Sequence, residues 1–259
     1  ATVHSSLTYP AYHANVFGGG YGADTWSQYT EVNMNLNGVG YYVYGGGNAG
    51  RVLNELSLKR WKREQETAGK VLPLDLGNGY TDRFLESSLV QPAGYDGGKY
   101  NTNVHVYRGG RISGYGFGGG LGSEAVVSGQ AYFDILGGTV TKDISGSGQA
   151  GDVKVLYRPV EGDEEFVATT TVYVESGTVR NVYGSGYRGG VGRHDGPITT
   201  VATAEAPDIE GISQVIIGKK DGTGFLDGIP AITRNVYGGG EGGPVFGTTK
   251  VKINNGYIG

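Results

Sequence analysis

Cysteine is absent from the 259 residues, Met occurs once and Trp twice. The first absence excludes disulfides, thiolate nucleophiles and Cys-ligated zinc together. Neither sign of charge dominates: 21 Lys and Arg stand against 25 Asp and Glu, a net charge of −4. A nucleic-acid surface needs a basic patch, so no nucleic-acid partner is expected. No apolar run approaches the roughly 18 residues of a membrane helix, so no membrane-spanning segment is expected in this chain. Proline is sparse at 8 residues, whereas glycine reaches 51, far above the usual share of about 7%. So much glycine suggests a flexible linker, but the 19 Tyr and the alternating Val and Ile argue against disorder.

The glycines cluster in one short phrase, an apolar or aromatic residue followed by Gly-(Gly or Ser)-Gly. It occurs at Phe17–Gly20, Tyr44–Gly47, Phe117–Gly120, Ile144–Gly148 (read as one residue longer), Tyr183–Gly186 and Tyr237–Gly240. Counted at its first residue, the intervals are 27, 73, 27, 39 and 54. Upstream of the phrase lies an alternating run, then a turn. Val104-His105-Val106 precedes Gly109-Gly110, Phe133-Asp134-Ile135 precedes Gly137-Gly138, and Val172-Tyr173-Val174 precedes Ser176-Gly177. Alternation marks a strand with one buried face, and glycine supplies the positive φ of tight turns at no steric cost.

A period of 20–45 residues with strands signals a solenoid. A hairpin sandwich competes with it, but a sandwich does not require one residue type to recur at one place. Stacked coils do, because each residue meets its counterpart about 4.8 Å away. Asn15, Asn181 and Asn235 are therefore expected to form a short Asn ladder, and Phe17, Tyr44, Phe117, Tyr183 and Tyr237 an aromatic one. The expected fold is all-β: a right-handed parallel β-helix of about six coils with inserted loops and one short helix. It forms a single solenoid segment over 1–259 and a rod of roughly 30 Å.

The unit Val172-Tyr173-Val174-Glu175-Ser176-Gly177-Thr178-Val179-Arg180-Asn181-Val182-Tyr183-Gly184-Ser185-Gly186 resembles the repeats of large secreted right-handed parallel β-helix proteins of Bacteroidetes. Those are surface proteins with autotransporter-like or adhesin-like passengers. The resemblance covers the repeat cores only. It implies export and an extracellular or cell-surface location, and says little about activity. Tyr115-Gly116-Phe117 and Asp143-Ile144-Ser145 depart from the Asn-Val-Tyr core, so those coils are expected to be distorted or to dock insertions. The chain starts at Ala1 without an initiator Met and stops at Gly259 inside a coil. It therefore reads as part of a longer chain, whose other segments are expected partners.

Insertions fall near 48–101, 149–168 and 187–231. In the first, Asn54 reads as a helix N-cap and Gly69 as its stop. Leu53, Leu56 and Trp61 form a docking stripe among Lys59, Arg60, Lys62 and Arg63, and Val71–Leu76 with Asn78–Tyr80 reads as strand and turn. The second reads as a hairpin from Val153 to Thr171 around an acidic, solvated turn at Glu161–Glu165. The third holds His194-Asp195, adjacent residues that point apart on an extended chain and form no dyad.

The glycine triplets are not phosphate loops, since no Gly-Lys-Ser/Thr and no following helix accompanies them. Gly19–Trp26 matches one copy of a calcium-binding nonapeptide of β-helices. No metal is expected, and Asp24 is the residue such a site would use. Asp82 and Asp134 read as isolated, and a glycosidase needs two carboxylates facing one bond. No catalytic residue and no cofactor is therefore assigned. Aromatic rings suit sugar faces and interfaces, and the non-repeat aromatics Tyr21, Trp26, Trp61, Tyr95, Tyr100 and Tyr187 are the ligand-binding candidates, with Tyr12 beside them. The expected function is a non-enzymatic structural or adhesin-type surface module that presents loops to a glycan or a surface protein. The alternative is a polysaccharide lyase or hydrolase of the β-helix class, which needs charged residues converging on one wall. Ice binding is a further alternative; it needs a regular Thr-x-Thr row, which Thr169–Thr171 and Thr248-Thr249 do not form.

Overall fold

Each alternating run becomes a strand that pairs with its own counterpart from the neighbouring repeat. The computed structural model describes residues 14–54, 57, 67–69, 101–154, 167–192, 211–219 and 228–259. Three sheets carry the described chain. A corner sheet joins six two-residue strands: Val16–Phe17, Val43–Tyr44, Gly116–Phe117, Ile144–Ser145, Val182–Tyr183 and Val236–Tyr237. A four-stranded sheet joins Trp26–Ser27, Arg51–Leu53, Val127–Ser128 and Val153–Lys154. A long sheet stacks Thr30–Met34, Thr102–Tyr107, Gln130–Val140, Ala168–Val179, Gly211–Ile217 and Gly247–Ile253. Strands follow one another across every sheet in chain order, and all pairings between them are parallel. Hairpins cannot produce that pattern, because parallel neighbours need a crossover. The sandwich reading is therefore excluded, and the arrangement is consistent with a β-helix.

Register corrects the fourth copy of the phrase. Ile144 pairs with Gly116 and Val182, and Ser145 pairs with Phe117 and Tyr183. Ile144 thus belongs to the valine column, and the serine takes the aromatic place. The phrase is not longer there; it lacks its ring. The expected aromatic ladder consequently splits in two. Phe17, Tyr44 and Phe117 stack with centroids 4.7 and 5.0 Å apart, and Tyr183 stacks on Tyr237 at 4.9 Å, all within 9° of parallel. The two coils read as departures also keep register, so neither is distorted at its phrase. Gly116 stands where neighbours carry Val or Ile, and the ring of Phe133 fills the space: a Cβ on Gly116 would lie 2.5 Å from Phe133 Cζ.

The interior is a set of columns. One runs Val32, Val104, Phe133, Val172, Val215; another runs Met34, Val106, Ile135, Val174, Ile217. These ten side chains are fully buried in one cluster, each contributing on the order of 1.5–3 kcal/mol. Two kinds of glycine serve the fold. Gly109 sits in a turn with φ of 82°. Gly137 and Gly177, expected in turns, instead lie inside the strands Gln130–Val140 and Ala168–Val179, where the register shifts, with φ of 102° and 98°. In the Asn37-Gly38 turn the left-handed residue is Asn37 at 66°. The phrase glycines act differently. A Cβ on Gly45, Gly118 or Gly184 would come within 2.4 Å of the carbonyl oxygen of the matching glycine one strand on. Backbone rests on backbone there, and no side chain fits.

A hydroxyl column completes the corner. Thr30, Thr102, Thr170 and Ser213 donate to the carbonyls of Gly45, Gly118, Gly184 and Gly238 at 2.5–2.7 Å. Ala131 occupies that column without a hydroxyl. The expected hairpin over 153–171 is not found in the described residues: Val153–Lys154 pairs with Val127–Ser128, and Ala168–Val179 pairs with Gln130–Val140, both parallel and in different sheets. At the expected helix start, the Ser57 amide donates to Asn54 Oδ1 at 2.9 Å, the geometry of an N-cap. Leu53 ends a strand instead of starting a helical stripe, and Gly69 has φ of 69°. The remainder of that helix, the strand and turn over 71–80, the acidic turn at 161–165 and the His194-Asp195 loop lie outside the described residues.

Candidate functional site

Alternation leaves one face of the long sheet pointing away from the core. On Thr30–Met34 and Gly211–Ile217 it behaves as expected, with buried and half-buried residues alternating. On the three central strands it does not. Asn103, His105, Tyr132, Asp134, Thr171 and Tyr173 all occupy outward positions, and all are buried. Buried polar groups are the informative exception in a protein interior, and they require partners.

The partners form a connected wall. His105 and Asp134 are cross-strand neighbours, with Nδ1 2.8 Å from Oδ1 and both side chains buried. Asp134 is therefore not isolated, contrary to the sequence reading. The rings of Tyr107 and Tyr132 lie 5.9 and 6.0 Å from the imidazole. Burial raises the Tyr107 phenol above its ordinary value, and the charges of Asp134 and Glu31 add to this. Glu31 accepts from Tyr29 Oη at 3.0 Å and from Asn33 Nδ2 at 2.6 Å. Further along, Tyr173 donates to Glu175 at 2.6 Å. Aromatic, carboxylate, amide and imidazole groups thus share one face of three stacked strands. Aligning the Val104-His105-Val106 and Phe133-Asp134-Ile135 runs of the repeat puts His105 beside Asp134; that signal was present in the sequence.

A second polar node lies before the phrase. Arg180 grips Asp143 with Nε at 2.8 Å and Nη2 at 2.6 Å. Asn181 donates its amide and its Nδ2 to Asp143 Oδ1 at 3.0 and 2.9 Å, and Asn235 repeats both contacts on Asn181 Oδ1 at 3.1 and 3.3 Å. The expected Asn ladder therefore exists for Asn181 and Asn235 but continues into Asp143. Asn15 is not its third rung: the Val16–Val43 register sets it beside Tyr42. Charge-assisted contacts of this kind are the strong ones. They hold the Arg180 guanidinium above its ordinary value. The node is fully used in stacking coils.

The aromatic candidates are dispersed. Tyr21 is 81% exposed and Tyr187 37%. Both follow a glycine triplet, but Asn48, Leu121 and Gln149 occupy the same corner position in the copies between them. Four coil steps separate them by about 19 Å. The Arg188 guanidinium lies 5.4 Å from the Tyr187 ring centre, a cation–π contact. Trp26 opens a strand that pairs with Arg51–Leu53. Trp61, Tyr95, Tyr100 and Tyr12 lie outside the described residues. Asp24 sits in a turn where Thr25 bonds back to the Gly22 carbonyl through both its amide and its hydroxyl. Among the described residues no three His, Asp or Glu side chains gather as a metal site, and no helix there is long and apolar enough to cross a membrane. No family model, curated protein or solved structure matches the chain.

Proposed function

We propose that this chain is a right-handed parallel β-helix of about six coils that serves as a non-enzymatic stalk or adhesin-type module of an exported surface protein. The observation that supports this most is the continuity of its columns. Glycine backbone contacts, hydroxyl clamps and apolar rows recur from coil to coil, which is the construction of a stiff spacer. Binding falls to the side of the rod, to a glycan or a surface protein. Tyr21 and Tyr187, which are exposed, offer ring faces of the kind that sugar recognition uses. A glycan array probed with the whole chain, repeated with Tyr21→Ala and Tyr187→Ala, tests it. Selective glycan capture that either variant weakens supports the reading. Capture that ignores both removes these rings from it.

The His105–Asp134 pair favours a second reading, a polysaccharide-active enzyme. An imidazole oriented by a carboxylate is a general base in form, and its two members come from adjacent strands of one wall. Incubation with uronic-acid polymers decides between the two. Chain cleavage by the intact protein, abolished by His105→Ala and by Asp134→Asn, would replace the stalk with the enzyme.

A further inference from the structure

Cations gather on the side of the stack that leads into the corner sheet. Ile112, Val140, Val179 and Ile232 point into the core. Their alternating neighbours Arg111, Thr139, Thr178 and Ala231 therefore face out, each paired with the next. Just before the corner, Lys142, Arg180 and Arg234 form one column. The Arg180 amide donates to the Lys142 carbonyl and the Arg234 amide to that of Arg180, both at 3.0 Å. Three cations thus succeed one another at about 4.8 Å per step, with Arg111 one coil before them. Like charges in register oppose stacking. On the four-stranded sheet the cations are paired, Arg51 with Glu124 and Lys154 with Asp152. Here only Arg180 is, through Asp143. Glu241 also feels Arg180, but burial, then Asp143, hold its carboxyl above the ordinary value. Among the described residues, the side chains of Arg111, Lys142 and Arg234 meet no carboxylate. Arg111 and Lys142 are exposed in coils that have a neighbour on either side.

We propose that this face binds a linear anionic polysaccharide laid along the stack, with its carboxylates or sulfate esters on Arg111, Lys142 and Arg234 and its hydroxyls on Thr139, Thr141 and Thr178. One coil step is close to the length of one sugar unit, so successive anionic groups meet successive cations. The surroundings select this occupant. Protein partners anchor on buried aromatic side chains, membranes on an apolar face and single-stranded nucleic acid on exposed rings. In the coils of Arg111, Lys142 and Arg180, no large apolar side chain is exposed on this face, whereas Thr139 and Thr141 are. The column precedes the glycine phrase and Tyr21 and Tyr187 follow it, so the inference stands whether or not those rings bind sugar.

Polygalacturonate and dextran sulfate are the probes, with neutral dextran as the blank, each titrated calorimetrically against the whole chain. Saturable binding of at least one polyanion, and none of dextran, is expected. Lys142→Gln should weaken it about three- to fivefold, and Arg111→Gln with Lys142→Gln at least about tenfold, with the slope of log Kd against log salt reduced by on the order of one to two. Neither side chain carries a contact of the fold, so both variants should melt with the parent. Lys154→Gln removes the same charge from the four-stranded sheet and should change affinity by less than about twofold. Tyr21→Ala and Tyr187→Ala should leave the binding intact. No saturable binding, equal losses in Lys142→Gln and Lys154→Gln, or tighter binding to single-stranded DNA or to vesicles of anionic lipid would overturn the inference.

Discussion

Gly116 and Phe133 should be exchangeable only together. In other coils the column of Gly116 carries Val or Ile, and the column of Phe133 carries Val. A Cβ at Gly116 would lie 2.5 and 2.6 Å from Phe133 Cζ and Cε2 and 3.2 Å from Ile144 Cγ2. The ring is fully buried and has no solvent-side rotamer to retreat to. Gly116→Val is therefore expected to overpack the core and cost about 2–3 kcal/mol. Phe133→Val alone removes the filling ring and leaves a cavity above Gly116, again about 2–3 kcal/mol. The double variant restores the Val and Val arrangement of neighbouring coils and should lie within about 1–2 kcal/mol of the parent. That is a coupling of at least about 2 kcal/mol, well beyond what independent sites show. Urea denaturation followed by far-ultraviolet circular dichroism reads all four corners of the cycle. Each single variant should also melt roughly 5–10 °C lower. If Gly116→Val is neutral, or if the double variant loses the full sum, the ring does not occupy the room the glycine leaves.

Thr170→Val keeps the shape but deprives the Gly184 carbonyl of its 2.6 Å donor; chemical denaturation should show a loss of about 1–3 kcal/mol, with Thr170→Ser retaining most of it. At alkaline pH the buried phenols dominate. Burial, then Glu241 and Asp143, push Tyr183 up to about 12, and burial also raises Tyr44. A phenol with a raised folded pKa contributes stability that is whole below its unfolded value, about 10, and is lost as pH climbs from there. Denaturation midpoints should hold steady to about pH 10 and then fall. Tyr183→Phe should blunt the fall, and an unchanged profile would refute the assignment.

Much of this architecture was legible because stacking repeats its demands. Val16, Val43, Val182 and Val236 announce one column, and the glycine triplets announce the repeat. What escaped detection was alignment at single-residue precision. Ile144 looks like a substitute for the aromatic residue and is a substitute for valine, since both fill the same interior slot and only register distinguishes them. The triplet glycines were legible as a repeated phrase but not as contact points, because close approach of two backbones is a property of neighbours far apart in sequence. The polar wall was hidden for the opposite reason. His105, Tyr132, Asp134 and Tyr173 alternate with core residues as a solvated face would, and nothing local marks them as buried. The hydroxyl column of Thr30, Thr102, Thr170 and Ser213 was obscured by ordinary strand threonines, and by Ala131, which breaks it.

The corner where glycine carbonyl meets glycine acts as the ruler of this molecule. It sets the rise from one turn of chain to the next without reference to what the chain does in between. Aromatic positions 44 and 117 stand 73 residues apart and meet in the same register as 17 and 44, which are 27 apart. Cargo of almost any length can therefore be spliced between successive corners without altering the pitch, whereas one methyl group placed on a corner would.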